Sequence, residues 1–140
     1  MAALTEPLIE RQLAAYLKAQ GFGDVETDPG RAQRIFWGEI PPGPDVCIVI
    51  LEEGGSRPLL TLAETRAFTI QTLNPEYAEG REEAQRIHRA LQEQQGILSP
   101  TIMVARITAD ANPISLGRDP AGRHVFSQTF TMKLRALAPS

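Results

Sequence analysis

Apolar positions along the chain change period several times, and each change predicts an element. Leu4, Leu8, Ile9, Leu13, Tyr16 and Leu17 recur on one helical face, with Thr5 as N-cap, Pro7 in the first turn and Gly21 at the end. Residues 21–33 are rich in turn formers and predict a loop. A short strand is expected around Ile35–Gly38, followed by Pro41-Pro42-Gly43-Pro44, which cannot continue a central strand. Asp45 to Glu53 is almost continuously apolar, the pattern of a central strand covered on both faces. Gly54-Gly55 should end it and start a hairpin into a strand near Thr61–Leu73, in which Phe68 and Ile70 share a face.

The second helix has a defined start, with Asn74 as N-cap, Pro75 at the first position, and Glu76 and Glu79 near the positive dipole end. Tyr77, Gly80, Ala84, Ile87, His88 and Leu91 form its inward stripe. Glu82–Arg86 and Arg89–Glu93 are i,i+4 pairs on its solvent side. Gly96 should close it after about 30 Å at 1.5 Å per residue. Ile102, Met103, Val104 and Ile107 mark a strand that leads through Asn112-Pro113 into a final hairpin.

That hairpin turns at Asp119-Pro120-Ala121-Gly122. Asp accepts from the local backbone, Pro presets φ, and Gly tolerates φ > 0. Beyond the turn, Phe126, Phe130, Met132 and Leu134 share one parity, interrupted by Gln128. Val125, Ser127, Thr129, Thr131 and Lys133 fill the other. This is the alternation of a half-buried strand. The element order α-β-β-β-α-β-β predicts an α+β fold, a twisted, mixed but mainly antiparallel sheet flanked by two helices.

At 140 residues the chain is expected to be a single domain over 1–140, long enough to bury about two-thirds of its unfolded surface. Its net charge of -3 argues against a general nucleic-acid binder. Charge is uneven: residues 1–70 carry 6 Lys/Arg against 10 Asp/Glu, whereas residues 96–140 hold five bases and two acids. An acidic end and a basic end would suit head-to-tail self-association; randomly solvated charge gives the same count. The single cysteine, Cys47, excludes an internal disulfide and suits a buried position in an intracellular, soluble protein. No secretory signal and no apolar run of membrane-spanning length is visible.

Candidate chemistry fails on inventory. His88 and His124 are the two imidazoles, and neither lies near Cys47 in sequence, so zinc-site spacing is absent. His88 suits a satisfied core position, and His124 an exposed one beside the turn. Gly21-Phe22-Gly23 with Glu26 lacks the third glycine and the preceding strand of a dinucleotide fingerprint. Glu52 and Glu53 are adjacent, so on a regular strand they point to opposite faces. No catalytic, metal or cofactor residues are therefore assigned. The twelve arginines against two lysines fit either interface pairing or codon usage.

The run Leu116-Gly117-Arg118-Asp119, Gly122-Arg123, Phe126-Ser127 and Phe130 resembles the minor capsid family of tailed bacteriophages, similar in role to tail terminators. An apolar strand after a proline-rich turn and a long helix with A-x-x-I extend the likeness over nearly the whole chain. Thr129 stands where that family often has Asn. The resemblance implies a non-enzymatic virion protein, assembled in the host cytoplasm. It would form a ring, six-membered by resemblance, that caps the head-proximal end of the tail tube, stops its growth and joins it to the neck. Implied partners are further copies of itself, the tail tube protein and a neck or head-completion protein, with no membrane and no sequence-specific nucleic acid.

The candidate interface residues are Arg118, Asp119, Arg123 and His124 around the turn, and the pair Glu52–Glu53. A cytosolic small-molecule or regulatory binding module is the alternative, and it requires a deep apolar pocket with convergent polar groups.

Overall fold

The computed structural model describes residues 9–25, 33–56, 63–92, 94, 96–99 and 102–136. Its elements are α1 (Ile9–Ala19), β1 (Ile35–Trp37), β2 (Cys47–Ser56), β3 (Ala63–Asn74), α2 (Tyr77–Leu91), β4 (Gly96–Ser99), β5 (Ile102–Ala109), β6 (Ile114–Arg118) and β7 (His124–Ala136). The strands follow the path β1-β2-β3-β7-β5-β4, with β6 paired to β7 beside it. β1 and β2 run parallel and the other pairs antiparallel, so the sheet is mixed and mainly antiparallel, as the patterning predicts. The C-terminal hairpin is β6 and β7. Among the described residues seven strands stand where the expected order has five: the short β4, which pairs with β5, is added, and the segment leading into the hairpin forms two strands, β5 and β6.

β7 organises the sheet. Twelve of its thirteen residues, His124 to Arg135, pair with β3 on one side. On the other side, residues near its start pair with β6 and those toward its end with β5. Phe126, Phe130, Met132 and Leu134 are all buried, as their common parity requires.

Leu13 and Leu17 of α1 and Ile87 and Leu91 of α2 pack on Ile48, Ile50, Phe68, Ile70 and Phe130 in the main core. Each such side chain stabilises the fold by about 1.5–3 kcal/mol through removal from water. A smaller cluster of Cys47, Val49, Leu73 and Val125 lies on alternate positions of the same strands, with Phe36 and Leu51 against it. Cys47, Ile48, Val49 and Ile50 are thus buried in succession, and β2 is covered on both faces.

α1 ends as expected. Gly21 takes φ +90°, its N–H donates to Lys18 O at 2.9 Å, and that of Phe22 donates to Leu17 O at 3.1 Å. This left-handed cap satisfies two terminal carbonyls. The predicted start at Thr5 and Pro7 lies outside the described residues.

α2 is shorter than its sequence suggests. Asn74 remains in β3, paired with His124, and its Oδ1 accepts the Glu76 N–H at 2.8 Å. The helix therefore begins at Tyr77, with extended Glu76 as its N-cap (φ -96°, ψ 118°). It stops at Leu91 because the following residues are drawn to the sheet. Ala109 N–H donates to Gln92 Oε1 at 2.7 Å, and Ile107 N–H to Gln94 O at 3.0 Å. The helix spans about 22 Å rather than about 30 Å, and Gly96 opens β4 instead of closing it.

Gly54 and Gly55 do not end β2. They pair with Ala67 and Arg66 after a register shift between Glu52 and Gly54. A bulge inserts one residue without breaking the strand, and the small glycines accommodate the bend. The predicted turn beyond them falls outside the described residues.

Candidate assembly surface

The hairpin turn forms through the predicted chemistry. Asp119 Oδ1 accepts from Ala121 N–H at 3.0 Å and from Arg123 N–H at 2.9 Å. Gly122 takes φ +83°, and its N–H donates to Asp119 O at 3.0 Å.

Arg118 and Arg123 then part ways. Arg118 is exposed and donates from Nη1 to Gly122 O at 2.9 Å. Arg123, expected to project outward with it, is turned inward and only 3% exposed. Its Nε donates to Asp119 Oδ2 at 2.8 Å, Nη1 to Pro44 O at 3.0 Å and Nη2 to Pro41 O at 2.9 Å. The side chain shares its strand parity with Val125, so it enters the smaller core, where Nη1 also approaches Cys47 Sγ at 3.7 Å. Burial pushes the Asp119 carboxyl up, but the hydrogen bonds and charge of Arg123 and the Ala121 N–H outweigh it. The group is held below the ordinary aspartate range. Asp119 and Arg123 thus form a structural clasp. Burial pushes the Cys47 thiol upward, with nearby Arg123 opposing it in part.

His124 is half-buried rather than exposed. Its ring meets Tyr77 edge-on at 5.3 Å, and Tyr77 also packs on Phe126 at 5.2 Å. Tyr77 therefore lies at the rim of the stripe where it was expected inside. His88 behaves as a satisfied half-buried histidine, its Nδ1 3.3 Å from Gln128 Oε1.

Glu52 lies elsewhere. It forms an ion pair with Arg66 and pairs in register with Phe68, six residues along β3 from Asn74. That is about 20 Å from the turn at 3.4 Å per residue. Glu53 occupies the β2 bulge; its side chain lies outside the described residues. The six candidates therefore do not converge on one site. The two halves of the sequence also meet within the sheet. The β3–β7 register sets Glu64 opposite Leu134, between Lys133 and Arg135, and so interleaves the two halves.

Sequence reasoning missed Glu83. It lies on the buried side of α2, with Arg34 at 3.3 Å and Arg86 at 3.5 Å. Arg86 thus bonds to Glu83 rather than forming the predicted pair with Glu82, and Glu93, the expected partner of Arg89, is outside the described residues. Burial lifts the Glu83 carboxyl above the ordinary glutamate range, and the two guanidinium groups offset part of that rise. Its spacing to Gly80 and Ile87 could have placed it inward, but its charge argued otherwise.

The groove beside Glu83 has a volume of about 570 Å³ and is lined by Arg34, Val46, Asn74, Glu79, Glu82, Glu83 and Arg86. Its walls are mostly charged, unlike the deep apolar pocket that a small-molecule module requires. Among the described residues no three His, Cys, Asp or Glu side chains could hold a metal ion. No described helix is long and apolar enough to cross a membrane.

β6 lies open to solvent along its length. All five of its residues are exposed, including Ile114 at 58% and Leu116 at 53%.

These features define a two-helix α+β domain whose distinctive surface is an exposed strand beside a clasped turn. Residues 16–135 match the family model described as bacteriophage tail terminator protein, and the chain belongs to that family. It is accordingly a structural tail protein of the phage virion type. A chain from the virion of a native gene transfer agent particle has the same fold, with a TM-score of 0.59 and 14% identity. The alignment covers 96% of this chain and 99% of that one. No curated protein matches significantly in sequence.

Proposed function

We propose that this chain assembles into a closed homo-oligomeric ring, six-membered by its resemblance, on the head-proximal end of a phage tail tube. The ring stops tube growth and presents its other face to a neck or head-completion protein. Assembly takes place in the host cytoplasm, and the mature protein remains in the virion. The observation that carries this reading is the family match over 16–135. The exposed β6 supports it, since ring formation needs surface that a lone copy leaves uncovered. The role is one of shape and contact, and we assign no catalytic step to it.

The test is to remove the gene from its phage and measure tails by electron microscopy. Overlong or headless tails, restored to normal by supplying the chain in trans, are expected. Normal tails and full infectivity without the chain would refute the proposal.

A further inference from the structure

Four large apolar side chains stand exposed among the described residues: Ile40, Tyr77, Ile114 and Leu116. The Tyr77 ring is partly occupied by His124 and Phe126. The other three fall into two patches of opposite charge.

Ile114 and Leu116 lie on β6 with Arg118 at its end; a register shift between Ser115 and Gly117 sets Ile114 opposite Ser127 and Arg118 opposite His124, so these side chains flank the free edge of β6 from both faces. Arg118 forms no ion pair with a described residue. β6 has β7 on one side and no described strand on the other. An edge of this kind, exposed and apolar, is normally covered by another chain or protected by charge.

Ile40 is 49% exposed in the loop 38–46, next to Glu39 and a few residues before Asp45. Both acids are exposed, and neither forms an ion pair with a described residue. This loop joins β1 to β2 at the other margin of the sheet, and its middle, Pro41 and Pro44, is bonded to Arg123. β6 and β1 are four strand spacings apart, about 19 Å across the sheet.

We infer that the β6 patch (Ile114, Leu116, Arg118) of one copy docks on the acidic loop (Glu39, Ile40, Asp45) of a second copy of this chain. Charge complementarity selects this occupant. Either patch placed against its own counterpart leaves its charges uncompensated, whereas β6 against the loop pairs Arg118 with Glu39 or Asp45 around an apolar centre. Joining two different patches makes the contact heterologous, and each docked copy still offers one free patch of each kind to the next. The inference rests on the proposed ring and supplies its contact.

Two variants test it by sedimentation across a concentration series. The first carries Ile114→Ser, Leu116→Ser and Arg118→Ser; the second carries Glu39→Gln, Ile40→Ser and Asp45→Asn. Each should keep the wild-type melt and self-associate at least about tenfold more weakly than wild type. Each retains one intact patch, so a mixture should form a one-to-one heterodimer that grows no further. If one variant fails to fold, Arg118→Glu alone mixed with Glu39→Lys/Asp45→Lys replaces it, and association should return when the charges are exchanged together.

Variants that assemble like wild type would overturn the contact, as would a mixture that stays monomeric or a wild-type chain that is monomeric throughout. The ring reading fails differently. If variants that no longer associate still give tails of normal length in the phage, the ring is lost and the contact stands. If they associate normally while the wild-type chain still controls tail length, the contact is lost and the ring stands.

Discussion

Gln128 Nε2 donates to the Ala84 carbonyl at 2.9 Å, so the polar residue on the apolar side of β7 ties α2 to the sheet. The same amide meets His88 through Oε1, and Gln128 is buried. Gln128→Leu keeps much of the volume but leaves the His88 nitrogen without that partner in a half-buried place. We expect a loss of about 1–2 kcal/mol in denaturant melts. An unchanged midpoint would mean that water replaces the amide at no cost.

Arg123→Ala should be the most damaging change at the turn. It removes the side-chain partner of Asp119 Oδ2 and leaves the carbonyls of Pro41 and Pro44 without theirs, and breaking a largely buried pair from one side costs about 3–5 kcal/mol. Arg123→Lys keeps the charge but cannot reach three acceptors in fork geometry, so its melt should fall between Ala and wild type. A melt within a few tenths of a kcal/mol of wild type for Arg123→Ala would contradict the clasp.

Gly80→Ala sets two effects against each other. Alanine gains about 1 kcal/mol of helix propensity. A Cβ at this position would lie 3.1 Å from Asn74 Cβ and 3.2 Å from Phe126 Cε2. Both neighbours are buried, and Asn74 is further fixed by its bond to Glu76. Overpacking of this kind costs about 1–3 kcal/mol, so a net loss near 1 kcal/mol is expected by thermal melting. A gain in stability would show that the Phe126 ring moves aside.

The Glu83 carboxyl titrates above its ordinary value in the fold, so the native state holds a proton there more tightly than the unfolded chain. Stability from this group is therefore full at low pH and falls as pH rises from the ordinary glutamate value of 4.5 through the folded value. Glu83→Gln removes the titration. As pH rises from the ordinary glutamate value of 4.5, wild type should lose stability relative to the variant. Parallel stability curves would mean that Arg34 and Arg86 keep the carboxylate ionised throughout.

The elements and their faces were legible where period alone decides them, as in the buried succession Cys47–Ile50 and the apolar parity of β7. Helix ends were less so. Asn74 and Gly96 carry capping chemistry, but tertiary pairing used the first as the last rung of β3 and the second as the start of β4. Gly54-Gly55 signals a turn, yet a bulge absorbed both glycines. The turn at Asp119 was readable to its hydrogen bonds, whereas the direction of Arg123 was not. An arginine beside a turn normally stays in water, and the carbonyls that draw this one inward lie about eighty residues earlier in the chain. Glu83 was hidden for the same reason, because its partner Arg34 comes from a distant segment. The family pattern, in contrast, was carried by local spacing around the hairpin and could be read directly.

By holding Pro41 and Pro44 through one guanidinium, Arg123 makes the hairpin and the proline-rich crossover a single mechanical unit. A load applied at the tip of the turn reaches the far side of the sheet without passing through the strands between. Displacement of either segment has to break several bonds together, so the two margins resist being pulled out of alignment. A tail protein that must hold its shape under strain gains stiffness from that one buried cation.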